Sequence, residues 1–179
     1  MFSILLVNTL ILFPKLTGPD LYEVKKGSIH FASAAPQEKI EATSAALKGL
    51  LNVDDNAFAF TAEIQTFEGF NSGLQREHFN ENYMESRIYP KAIFTGKLID
   101  KFNPESASQK VRAKGQLDIH GIKKERIIDV TLEKKANTYS FTSAFNVALI
   151  DHGITMPKIV FQKIAETISV DVSGELARK

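Results

Sequence analysis

Hydrophobic and polar residues alternate along most of the chain beyond Leu21. Phe58, Phe60, Ala62 and Ile64 alternate with Ala59, Thr61 and Glu63, and Val111, Ala113, Gly115, Leu117 and Ile119 with Arg112, Lys114, Gln116 and Asp118. Tyr139, Phe141, Ser143, Phe145, Val147 and Leu149 form a third row, and Ile168, Val170 and Val172 a fourth. A period of two predicts strands with one dry face and one wet face. Weaker alternation predicts further strands over residues 22–33, 41–51, 92–100 and 126–133. Turn signals at Asp54-Asp55-Asn56, Asn103-Pro104 and Ala136-Asn137 fall between strands. About eight half-dry strands with few helices are satisfied most economically by a closed antiparallel β-barrel, because closure removes exposed edges.

Two segments break the alternation. Over residues 74–85 the apolar side chains Leu74, Phe79, Tyr83 and Met84 recur at roughly helical spacing, with Arg76, Glu77, Asn80 and Glu81 opposite. Ser72 suits the N-cap, and Tyr89-Pro90 forces extended backbone afterwards. Over residues 158–167, Ile159, Val160, Phe161, Ile164 and Ala165 give a second helical face behind Met156-Pro157, with a strand as the alternative. The fold expected is all-β, an eight-stranded antiparallel barrel with one or two short helices.

Composition narrows the function. A chain of 179 residues suits one domain, and 44% hydrophobic residues suit a globular one. A net charge of +1 from interspersed Lys, Arg, Asp and Glu gives no electrostatic reason to expect nucleic acid. With no cysteine, disulfides and zinc–thiolate sites are excluded. Met1 to Phe13 is apolar apart from Ser3, Asn8 and Thr9, shorter than the roughly 20 residues of a spanning helix. It reads as the core of a signal peptide over residues 1–18, with Leu16-Thr17-Gly18 near the cleavage zone and the mature domain at 19–179. No Lys or Arg precedes the run and no A-x-A site follows, so an apolar first strand or docked helix is the alternative. Export to the periplasm or outside the cell is the expectation.

Arg76-Glu77-His78-Phe79, then Tyr83-Met84 and Tyr89-Pro90, is similar to the helix that precedes a strand opening on Tyr-Pro in the YceI-like family. Gly115, Leu117, Ile119, His120 and Gly121, followed by Ile122 and Lys123-Lys124, resembles its G-x-L-x-I-H-G strand. Asp151-His152-Gly153-Ile154 resembles a shorter branch of the family. The resemblance implies a lipocalin-like barrel that holds a long apolar molecule: a polyisoprenoid, quinone or fatty acyl chain.

There are 13 phenylalanines and no tryptophan. By patterning alone Phe58, Phe60, Phe94, Phe141 and Phe145 read first as core of a filled barrel and second as the lining of a slot. The resemblance favours the slot, as do the small inward residues Ala62, Ala113, Gly115 and Ser143. Arg76 and His78 would then meet a polar head group on the lid helix, with Phe79 and Tyr83 beside it. The alternative is a filled barrel acting as a stress-related interaction or structural protein.

His30, His78, His120 and His152 show no zinc-ligand spacing, so no metal or other cofactor is expected. Glu77-His78 and Asp151-His152 are sequence neighbours whose side chains point apart, so no acid–base couple is formed. A hydrolase would need at least two of His78, His120 and His152 and a carboxylate to converge within hydrogen-bond reach. His120 before Gly121 reads as a hairpin residue bonded to nearby backbone. Partners are expected to be an apolar small molecule, transient contact with a membrane, and a second copy if an apolar rim is exposed.

Overall fold

The alternating rows become strands in the structure, a computed structural model that describes residues 20–157 and 162–179. They are β1 (Leu21–Ala34), β2 (Lys39–Ser44), β3 (Lys48–Asn52), β4 (Ala57–Glu63), β5 (Lys91–Leu98), β6 (Ser108–Ile119), β7 (Ile122–Lys135), β8 (Thr138–Ala148) and β9 (Thr167–Arg178). From β3 to β9 each strand pairs antiparallel with the next, and β9 returns to β1. The expected signal peptide lies outside the described residues.

Nine strands make eight staves because β2 and β3 share one. β2 lies along residues 29–34 of β1, and β3 along residues 21–23 of the same edge. A continuous strand over residues 41–51 was the expectation; residues 45–47 interrupt it. The fully buried Ser44 hydroxyl bonds Thr66 Oγ1 at 2.6 Å and accepts the Ala46 amide at 3.2 Å. That turn drives Leu47 into the core.

The chain leaves the barrel between β4 and β5 to form a lid. Ser72 caps α1 (Gly73–His78), its hydroxyl accepting the Gln75 amide at 3.1 Å. The helix then widens into a π turn (Phe79–Tyr83), where Met84 N donates to Phe79 O at 2.9 Å. Only the first half of the expected helix is therefore α.

The second expected helix is corrected over its described part. Residues 158–161 lie outside the described residues, and residues 162–166 form turns and bends before β9 begins. Their backbone groups serve other elements: Ala165 N donates to Ser33 Oγ at 2.8 Å, and Glu166 O accepts Leu149 N at 2.9 Å.

Filling varies along the barrel axis. At the base, opposite the lid, Tyr22, Phe102 and Tyr139 pack edge to face, and Tyr139 donates its hydroxyl to Pro104 O at 2.6 Å. Above them, Phe58, Phe60, Phe94 and Phe141 make a ladder of contacts. Gly174 lies beneath the Phe141 ring, where a Cβ would come within 2.5 Å, so that ring lies against the wall. Gly115 differs from its expected part in widening the interior. It pairs with Gly96, and a Cβ at either would strike the backbone of the other's strand, so it serves close strand approach.

The base also carries an acid-sensitive tie. Arg112 donates Nε and Nη2 to the Asp100 oxygens at 3.0 and 2.8 Å, and its amide at 2.8 Å. These bonds, the guanidinium's first, lower the Asp100 carboxyl from 3.8 to about 2. The depressed value stabilises the fold above pH 3.8, and the contribution disappears as pH falls through about 2. Arg112→Leu should therefore lose less stability than the parent protein across that window in stepped-pH urea unfolding. Parallel profiles would contradict the assignment.

Candidate functional site

Beneath the lid the barrel is hollow. A cavity of about 480 Å³ is lined from the strands by Ile29, Phe31, Leu117, Ile119, Phe145, Val147, Ile168 and Val170. The lid side supplies Ile64, Phe67, Phe70, Leu74, Phe79, Tyr83 and Met84, and Leu149 and Ile154 come from the turn after β8. The size falls within the range of small-molecule sites, about 300–1,000 Å³. A smaller lobe of about 120 Å³ lies deeper, lined chiefly by Phe58, Phe60, Phe94, Phe141 and neighbouring aliphatic side chains.

Aromatic rings build the roof. Phe79 stacks on Phe31 with centroids 5.3 Å apart, and contacts Phe70 at 5.1 Å and Phe67 at 5.9 Å. The π turn puts Phe79, Tyr83 and Met84 on one face, because residues four and five apart superpose there. Polar groups gather on the same rim: Ser33, Glu38, Ser72, Gln75, His78 and Lys163 line the cavity. Gln75 Nε2 donates to Glu38 Oε1 at 2.9 Å. Burial raises the Tyr83 phenol above its ordinary value, so it stays protonated at neutral pH.

The structure distributes the sequence-selected residues unevenly. Phe58, Phe60, Phe94 and Phe141 line the deep lobe, His78, Phe79 and Tyr83 the upper one, and Phe145 both. Arg76 lines neither. It donates Nη2 to Gln65 O at 3.1 Å and approaches Glu68 at 3.9 Å, on the back of the lid. One residue beyond Gln75, it is rotated roughly 100° around the helix, away from the cavity. Sequence reasoning missed Phe31, Phe67, Phe70 and Lys163. Only Phe31 carried a signal, as one of the alternating Ile29, Phe31 and Ser33 of β1.

The lid is fastened beside the cavity. His120 and Gly121 form a two-residue hairpin turn with φ of 52° and 73°, and Tyr89 packs against both. The two ring nitrogens of His120 face oxygen acceptors: Nε2 lies 2.8 Å from Glu85 Oε2, and Nδ1 3.2 Å from His152 O. His152 is buried and donates Nδ1 to Ile122 O at 3.0 Å. Glu85 itself holds a left-handed backbone, φ 44°, where the lid ends. The side chains of His120, Glu85 and His152 lie outside both lobes. Among the described residues, no group of three or more His, Asp or Glu side chains could hold a metal ion.

The YceI-like domain model matches residues 22–176. The chain belongs to the YceI-like domain family. Three solved structures share the barrel of this YceI-like protein at low identity, and the likeness shows the fold. A polyisoprenoid-binding domain from Saccharophagus degradans, implicated in plant cell wall breakdown, is 11% identical with a TM-score of 0.75, over 88% of this chain and 98% of that one. Burkholderia cenocepacia BcnA is 13% identical with a TM-score of 0.69, over 83% and 95%. The Campylobacter jejuni YceI protein is 14% identical with a TM-score of 0.55, over 100% and 99%. No curated protein matches the sequence.

In this YceI-like barrel the fastening predicts a local effect of substitution. His120→Asn keeps a residue that tolerates the left-handed turn but cannot span to Glu85. It should cost about 1 kcal/mol, since Glu85 is partly exposed. Amide exchange at Met84, Ser86 and Tyr89 should accelerate while β6 and β7 amides keep their rates. Uniform acceleration would show that His120 supports the whole barrel instead.

Proposed function

We propose that this protein binds and sequesters or carries a long apolar molecule, a polyisoprenoid, quinone or fatty acyl chain, inside its barrel. The observation that carries the reading is the roofed cavity of about 480 Å³ with its aromatic and aliphatic lining. The polyisoprenoid-binding domain of the same fold supports it. Burial in such a tube supplies about 0.8 kcal/mol per methylene, so binding would rest on the chain rather than on a reacting group. This is a binding protein in our reading, not an enzyme. Of the Phe residues named from the sequence, Phe79 and Phe145 would meet the chain, and His78 with Ser72, Gln75 and Lys163 would meet the polar head. Arg76, turned to the back of the lid, drops out of that set.

Exchange would take place at the lid end. Leu74, Ile88 and Ile150 stand there 61%, 65% and 74% exposed, which supports transient contact with a membrane. Action in the periplasm or outside the cell fits the apolar N-terminal run. A filled-barrel interaction protein is the second reading, favoured by the closely packed base.

Native mass spectrometry of protein purified from a bacterial host, with organic extraction, separates the two. We expect close to one lipid per chain. Phe79→Asp should lower retention about tenfold at unchanged far-UV circular dichroism, because a carboxylate would face the chain. An apo mass unchanged after incubation with quinones and fatty acids would favour the filled barrel.

A further inference from the structure

We propose that Phe145, with Ile29 and Leu117, is a chain-length stop that confines a bound chain to the lid-end lobe; the inference rests on the lipid-binding reading. Four residues line both lobes, and therefore stand where they meet: Ile29, Ala92, Leu117 and Phe145. Three of these come from strands spaced around the barrel, β1, β6 and β8, and pack in one cluster. Phe145 is the largest and sits opposite Val170 in the β8–β9 register. A chain entering beneath the lid therefore meets this cross-section after filling about 480 Å³.

The deep lobe beyond has about 120 Å³. That is near the ~150 Å³ at which an apolar cavity stays dry and open to a small apolar guest. Its two hydroxyl-bearing lining residues are Thr61 and Ser143, and the latter is engaged, donating to Asp129 O at 2.7 Å. Apart from the Thr61 hydroxyl, buried there without a partner among the described residues, the deep lobe is apolar room that the stop withholds from the ligand. Truncating the stop should join the two lobes, and filling the deep lobe alone should change nothing.

Affinity against chain length reads this directly. The probes are saturated fatty acids from caprate to lignocerate and linear prenols from geraniol to solanesol, competing with a fluorescent fatty acid. For the parent protein, binding should tighten about fourfold per methylene until the chain reaches the stop, then level off. Phe145→Ala should move that break to longer chains, and Phe145→Leu by less, so either variant that folds gives the answer. Ala113→Leu, which fills the deep lobe, should leave the parent's break in place and restore it in the Phe145→Ala background. A rise without a break, a break unmoved by both Phe145 variants, or one shortened by Ala113→Leu alone would overturn the stop while lipid binding stands. Failure of both probe series to bind at any length would overturn the binding reading itself.

Discussion

The pairing of β1 with β9 over ten positions turns a twisted sheet into a tube, and the remaining architecture depends on it. Once the seam is made, every strand has a fixed inside and outside, because a slip of one residue would exchange its two faces. The bulge between Val24 and Lys26 adjusts the register within that seam, and Lys25 turns to Glu23 at 2.7 Å. On either side of the bulge, β1 still has to satisfy its other edge. It does so with two short strands in place of one, and the interruption between them accommodates the turn from which the lid departs.

Closure fixes the wall but not the content of the tube. Content follows from side-chain size at successive levels. Tyr and Phe rings meet at the base, aromatic and aliphatic groups crowd the middle, and the upper levels are capped by a lid that contributes rings of its own. The lid has little regular structure with which to hold itself, since its α-helix spans six residues and gives way to a π turn. Its position comes instead from Phe79 packing on Phe31 and from the Glu85–His120 contact. The second of these joins the lid, the β6–β7 hairpin and the turn after β8 at one place.

Most of the wall was legible from the sequence because period-two alternation is a local property. The rows of β6, β8 and β9 became strands with Val111, Leu117, Phe141, Val147 and Val170 buried as the alternation requires. What was not legible depended on partners far along the chain. The break at residues 45–47 needs Thr66 to meet Ser44, and the loss of helix at residues 162–166 needs Ser33 to take the Ala165 amide. The site divides in the same way. His78, Phe79 and Tyr83 were found from a helical pattern, whereas separating Gln75 from Arg76 requires the rotation of a helix about its axis. Phe67 and Phe70 lie in irregular chain, where no periodicity marks a residue as inward.

The aromatic base bears on traffic. Tyr22, Phe102 and Tyr139 close the tube at one end and take no part in either lobe, so a chain bound as proposed would have the same doorway for arrival and departure. Such a container is a cup rather than a conduit. On the carrier reading, a molecule that entered tail first would leave head first, and donor and acceptor would take turns at one rim instead of standing at opposite ends. Hand-over would then be ordered by who occupies the rim, with no preferred direction built into the tube itself.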